Sequence, residues 1–405
     1  MVADMRARVQ EAAAGSPPVV STWPVYDEAA IADVAAILRS GKVNALHHGA
    51  HCARFERDFA RLCEVPFAIA LANGTLALEL ALRALGIGPG DEVIVPARSF
   101  MASASCVCAV GATPIFADVD ATSQSLTAAT IEPHINGRTR AILVVHLAGW
   151  PAPMPEIVAL AQAAGLLLVE DCAQAHGATL GGQPVGSFGD AGAFSFCTDK
   201  IISTGGEGGM LVTRHAHVWE TAWSYKDHGK SPTPLPPSTA PGTFRWLHDS
   251  FGSNYRLTEM QAAIGLRQLA ALPDMLAIRR RNARRLDEGL QDMAALRLTR
   301  APAGHAYYKY YCFVRPEALA AGWSRDRILA ALSARAIPCG SGSCPEIYRE
   351  RAFNGHASTP KDPLPVARAL GETSMMFPVD PTLNERDMDV IAETIRAIVQ
   401  AATRL

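Results

Sequence analysis

Residues 166–177 read Leu166-Leu-Leu-Val-Glu-Asp-Cys-Ala-Gln-Ala-His-Gly177. Four apolar residues run without alternation and end on two acids. A strand apolar on both faces suits a mostly parallel sheet sandwiched by helices. A carboxylate at its carboxyl end, Asp171, stands where such sheets place their ligands. Partly desolvated, that acid calls for a cationic partner, and a protonated ring nitrogen would serve.

The same kind of run recurs on both sides. Strands are expected at Phe67–Leu71, Glu92–Val95, Pro114–Asp118, Ala141–His146, Leu166–Glu170, Ala193–Phe196 and Gly209–Thr213. Helical patterns such as Thr75–Leu85 and Met154–Ala164 lie between them, which makes the class α/β. Residues 231–242 carry five prolines and form a long loop. A helix follows over Thr258–Leu272, capped by Thr258 with Gln261, and then a separate Arg-rich helix around Ala277–Leu290. From Leu296 the pattern turns to isolated elements, a strand at Tyr310–Val314 and helices at Arg325–Ala334 and Arg386–Gln400. The expected organisation is an N-terminal segment, 1–45, packing on the small domain; a large domain, 46–275; and a smaller α+β domain, 276–405.

The chain has 405 residues, 49% hydrophobic and 19% charged, enough to build large cores. Its 37 Lys and Arg against 39 Asp and Glu leave a net charge of −2. No basic excess exists to neutralise a phosphate backbone, so nucleic acid is disfavoured as a partner. A small anion held by a few dipoles and cations is compatible with this balance. The nine Cys are scattered without paired C-x-x-C hooks, which argues against structural zinc and a disulfide framework and for a reducing, cytoplasmic setting. No signal peptide or membrane span is expected. His47, His48 and His51 lack a nearby carboxylate or Cys and are read as a polar loop ahead of a helix starting near Arg54, not as a metal site.

Three more stretches carry chemistry. Ala72-Asn-Gly-Thr75 follows a strand and opens a helix, so Gly74 and Thr75 sit at unpaired N–H groups and the positive end of a helix dipole. Gly192–Thr213 contains a strand that delivers Ser195, one isolated Lys200, and a glycine-rich turn. Small and apolar neighbours favour the neutral, nucleophilic amine of Lys200. Asn254 and Arg256 precede a helix and offer donors to an anion. By contrast, Gly86-Ile-Gly-Pro-Gly90 follows a helix and precedes a strand, the wrong order for a dinucleotide fingerprint.

An acid closing a strand, a later Ser, a lone Lys and an upstream phosphate turn together point to pyridoxal phosphate. The combination resembles the DegT/DnrJ/EryC1/StrS aminotransferases, sugar aminotransferases of PLP fold type I. It rests on NGT with the ALELAL run, GATPIFADVD, EDCAQAHGA, VGSFGDAGAFSF, Lys200 followed by TGGEGGM, and NYRLTEMQAAIG, and spans Trp23 to the C-terminus. The resemblance implies a large domain with a mostly parallel seven-stranded sheet and a smaller α+β domain. It implies Lys200 as the lysine that bonds the cofactor and Asp171 as the acid on its ring nitrogen. Gln174 matches the residue near the ring oxygen, Phe100 the stacking aromatic, and Gly74, Thr75 and Ser195 phosphate ligands. Asn254 matches an asparagine that reaches the neighbouring subunit's phosphate, which implies a homodimer. Arg98, His176, Arg256, Tyr308 and Lys309 are expected on the substrate side, bordered by Cys339–Tyr348.

The implied reaction moves an amino group, from glutamate in the family's usual way, to a nucleotide-linked keto sugar. The product would be an amino sugar for polysaccharide or natural-product synthesis. A cyclitol or aminoshikimate-type ketone is the alternative acceptor. Lys200 speaks against the dehydrating branch, whose members typically carry His there. The intact set of Lys200, Asp171, Gln174 and Ser195 speaks against an inactive regulatory protein.

Overall fold

The computed structural model describes residues 19–45, 49–231 and 248–403. Nearly all of the proline-rich loop, and His47 and His48, lie outside these residues. The strands in chain order are β1 Phe67–Leu71, β2 Glu92–Pro96, β3 Thr113–Ala117, β4 Thr139–Val145, β5 Leu167–Asp171, a small hairpin of β6 Thr179–Leu180 and β7 Gln183–Pro184, then β8 Ala191–Ser195 and β9 Gly209–Thr213. Seven of them form one sheet in the order β1-β9-β8-β5-β4-β2-β3. Only β9 runs against its neighbours; the other pairings are parallel. Every residue of β2, β8 and β9 is buried, because helices cover both faces as the continuous apolar runs require.

β1, β2, β4, β5 and β8 point the same way. Their carboxyl ends therefore meet along one edge, and the segments that leave them carry Asn73, Arg98, His146, Asp171 and Ser195. This edge is where an open α/β sheet builds a site. A second core forms around β10 Leu296–Leu298, β11 Tyr310–Val314 and β12 Ser374–Phe377, an antiparallel sheet in that order. The helices Arg325–Ser333 and Glu385–Ala402 pack on it through Ile328, Leu332, Ile391 and Ile395.

Three expectations need correction. The two helices expected on either side of Pro273 are one, Glu259–Leu290, with the proline inside it. Leu272, Met275, Leu276 and Arg279 are buried along it, so burial across the proline outweighs the lost backbone hydrogen bond. The expected boundary at 275/276 thus falls within a continuous helix. The helix expected near Arg54 starts at Ala50. The Glu259 carboxylate accepts from the N–H groups of His51 and Cys52 at 2.9 and 3.0 Å, a cap supplied from far along the chain. His51 Nδ1 also contacts Glu259, at 3.1 Å.

The N-terminal segment packs on more than the small domain. Val19 joins its core and Ser21 Oγ donates to Asp380. However, Trp23 Nε1 donates to the carbonyl of Lys200 at 2.8 Å, Tyr26 meets Ser203, and Gln268 donates to the Val25 carbonyl.

Candidate active site

A cleft of about 740 Å³ opens at the carboxyl edge of the sheet. Its floor is the start of the helix Gly74–Ala84. Asn73 caps that helix, its Oδ1 accepting from Leu76 N at 2.9 Å. Gly74 is required by close approach: a Cβ there would stand 2.6 Å from the Ser195 Cβ. The helix N-terminus and the Ser195 hydroxyl are thereby pressed together, a pocket for an oxyanion. Gly74, Thr75 and Ser195 all line the cleft.

Asp171 closes β5 and is buried. Its Oδ2 accepts from Ser103 Oγ at 2.8 Å and its Oδ1 from Ala173 N at 3.1 Å. Ser103 in turn meets Ser99 at 2.9 Å. Burial pushes the carboxyl up from its ordinary value, against the opposing pull of Ser103, Ala173, Lys200 and His146. A cation placed on it would restore the ionised form. Gln174 Oε1 accepts from Ala148 N at 2.7 Å, so its amide N–H groups are the end left for a ligand.

Lys200 lines the same cleft, in a turn followed by the fully buried Ile201 and Ile202. Its Nζ lies 4.9 Å from the ring centre of Tyr308, and the Tyr308 phenol donates to Asp199. Phe100, 64% exposed, stands at the cleft wall. Asp171, Lys200, Gln174, Ser195, Gly74, Thr75, Phe100 and Tyr308 are thus brought to one cavity from segments spread over more than 230 residues of sequence.

The remaining substrate-side candidates are placed differently. His176 is fully buried among Phe59, Phe194 and Phe196 behind the sheet edge, where burial drives its imidazole down to about 3. It is a core residue, and the cleft does not reach it. Lys309 lines a separate small cavity with Gln124 and Trp150, its Nζ 5.0 Å from the Tyr308 ring centre. Arg98 is fully buried behind the cleft wall. Arg256 pairs with Asp227, which also meets Lys230 at 3.4 Å. Asn254 is exposed beside Asp227 and does not line this chain's cleft.

Several residues that line the cleft, and one that supports Asp171 from within the protein, escaped the sequence reading. Ser103 sits one helical turn after Ser99 and had no signal beyond being polar in an apolar helix. Asp199 and Cys197 lie next in sequence to the candidates Lys200 and Ser195 but read as turn residues. Tyr311 and Met376 come from β11 and β12 but pack with the core of the large domain, and Gly342 and Ser343 come from the segment between the helix Arg325–Ser333 and β12. Of these, Gly342 and Ser343 lay in the stretch expected to border the substrate, and Tyr311 closes the run that holds Tyr308 and Lys309, both expected on the substrate side. His146, Glu170 and Cys172 cluster in the core beside Asp171. Their donor atoms are largely committed: His146 contacts Glu170 at 3.0 Å, and Glu170 accepts from the N–H groups of Gly186, Phe188 and Gly189. The group ties β4 and β5 to the turn before β8.

The donor set is the one pyridoxal phosphate needs: helix-start amides with a hydroxyl, a buried acid, and a lysine amine in one cavity. Comparison with known proteins agrees. The profile of the DegT/DnrJ/EryC1/StrS aminotransferase family matches residues 24–396. A UDP-N-acetyl-3-dehydro-alpha-D-glucosamine 3-aminotransferase of Acidithiobacillus ferrooxidans is 42% identical over 84% of this chain and 86% of its own length. An L-glutamine:2-deoxy-scyllo-inosose aminotransferase of Streptomyces fradiae is 40% identical, over 72% of this chain and 70% of that one. Among solved structures, an aminotransferase from Psychrobacter cryohalolentis superposes with a TM-score of 0.90 at 45% identity, covering 94% of this chain and 98% of that one.

Proposed function

The chain belongs to the DegT/DnrJ/EryC1/StrS aminotransferase family, pyridoxal-phosphate-dependent enzymes, and from that premise we propose that it transfers an amino group from glutamate to a nucleotide-linked keto sugar. The observation that carries the chemistry is one cavity lined by Lys200, the buried Asp171 and the Gly74–Ser195 contact. The relative from Acidithiobacillus ferrooxidans, whose name gives a UDP-linked keto sugar as substrate, supports the acceptor class.

When bound, the cofactor supplies an electron sink for the carbon that loses or gains a proton. The amides of Gly74 and Thr75 and the Ser195 hydroxyl would hold its phosphate. Asp171 would keep its ring nitrogen protonated, the acid ionising as it gains that cation. The Gln174 amide would donate to its ring oxygen, and Phe100 would cover one ring face. Lys200 Nζ is the amine that would bond its aldehyde carbon. As a free amine in the same cleft, Lys200 Nζ would be the group that moves a proton to and from the reacting carbon.

Phe100 at 64% and Phe251 at 99% exposure are large apolar groups left bare on the single chain, and the exposed Asn254 follows the second by three residues. A homodimer in which Asn254 reaches the neighbouring phosphate fits this surface. Among the described residues no helix is long and apolar enough to cross a membrane. The scyllo-inosose relative supports a second acceptor class, a cyclic polyol ketone.

Borohydride reduction of the holoenzyme followed by peptide mapping tests the lysine assignment. The cofactor should be fixed to the peptide that contains Lys200. A tag on any other lysine, or none, would refute it.

A further inference from the structure

Arg98 leaves β2 at the sheet's carboxyl edge and turns into the protein. Its Nε donates to Gln124 Oε1 at 2.9 Å and its Nη2 to Ser374 Oγ at 2.9 Å, while Nη1 has no hydrogen-bond partner. Among the described residues no carboxylate pairs with it. The titratable groups facing it are the Tyr311 phenol, the Cys344 thiol and the Arg325 guanidinium. Burial holds both the phenol and the thiol above their ordinary values, the thiol at about 11, so both are neutral near pH 7. Arg325 is a like charge, itself paired with Asp326 at 2.7 Å. The protein therefore carries a buried guanidinium with no counter-charge, an arrangement that costs stability unless an anion completes it.

The position of that missing anion is constrained. Ser374 accepts from Arg98 and donates to the carbonyl of Ser341 at 2.6 Å. The neighbouring Gly342 has φ +98°, and a Cβ there would stand 2.5 Å from the Tyr311 ring. Ser343 N donates to the Tyr311 hydroxyl at 3.1 Å. Tyr311, Gly342 and Ser343 all line the cleft, as does Ser99, the residue after Arg98. Arg98 thus stands directly behind this part of the wall. Its side chain is fully buried and does not line the cleft, so it would act through its field across the intervening wall rather than by contact.

We propose that Arg98 selects a substrate oxyanion in the part of the cleft walled by Tyr311, Gly342 and Ser343, as a specificity-determining charge behind that wall. This rests on the aminotransferase reading, which supplies two sources of such an anion: the carboxylates of the amino donor and the diphosphate of a nucleotide-linked sugar.

Calorimetric titration of the holoenzyme with uridine 5′-diphosphate, glutarate and uncharged uridine separates them. Replacing Arg98 by Met should weaken one of the two anions by about tenfold, the size expected of a charge acting across several ångströms at intermediate dielectric. Uridine should bind as before, and Arg98→Lys should retain most of the anion's affinity. Loss confined to uridine diphosphate assigns the diphosphate; loss confined to glutarate assigns the donor. Arg98→Gln serves the same comparison if Arg98→Met does not yield folded protein. The proposal is overturned if both anions bind the neutral variant within roughly twofold of wild type. It is equally overturned if Arg98→Lys loses as much as Arg98→Met, or if wild type binds neither anion. The aminotransferase reading stands or falls separately, on whether glutamate changes the visible spectrum of the bound cofactor.

Discussion

His176 shows how a polar residue beside a functional acid can be misread. In the sequence it sits five residues after Asp171, in a stretch full of site residues, and chemistry is the natural expectation. In the fold the chain has already turned into the core, and the imidazole packs on three phenylalanines. Its basicity, dropped to about 3 from an ordinary 6.5 by burial, has a consequence for stability. Between these values the unfolded chain takes up a proton there that the folded chain does not. Stability is therefore fully present above pH 6.5 and falls as pH drops toward 3, by about 1.4 kcal/mol per pH unit from this residue. His176→Phe should lose about 2 kcal/mol less than wild type between about pH 7 and pH 5 in urea unfolding. Parallel losses would contradict this account of the residue. Asp171, Lys200 and Ser195 were legible for the opposite reason. Each is a polar or charged side chain delivered by an apolar strand or turn, a local contrast that needs no knowledge of distant partners.

At the scale of elements, uninterrupted apolar runs marked the strands well. Phe67–Leu71, Gly209–Thr213 and Tyr310–Val314 coincide with strands at both ends. The short strands Leu296–Leu298 and Ser374–Phe377 escaped, because each has few residues and owes its pairing to β11. The cleft wall built by Tyr311, Gly342 and Ser343 was correspondingly faint: it depends on that sheet packing against the sheet edge of the large core. The proline in Glu259–Leu290 misled in another way. Pro273 is a local break signal, but buried side chains on both sides of it hold the helix together. Pro273 is exposed and supplies no N–H to the ladder. Pro273→Ala should therefore stabilise the protein by about 1–3 kcal/mol in chemical denaturation, less the entropy the proline removed from the unfolded chain. A destabilised variant would mean that the proline ring itself is packed to advantage.

On the scale of the whole molecule, the near-neutral charge is compatible with the proposed site, which would hold its anion by helix-start amides and a hydroxyl rather than by a basic surface. The two cores meet at the cleft, and the N-terminal segment ties Lys200, Asp380 and the long helix together through Trp23, Ser21 and Val25. If the active unit is a dimer with Asn254 serving the neighbour, two inactive variants should rescue each other. Lys200→Ala mixed in equal amounts with Asn254→Ala, unfolded and refolded together, places both lesions in one site of each mixed dimer and leaves the other intact. About a quarter of wild-type activity should return; no recovery would mean that each chain builds its site alone. The central claim is the transfer itself. Holoenzyme converted to its amine form by glutamate, freed of keto acid and mixed with nucleotide-linked keto sugars, should recover its original visible band as an amino sugar nucleotide appears by mass spectrometry. Recovery with a free cyclic polyol ketone and with none of the sugar nucleotides would contradict the account.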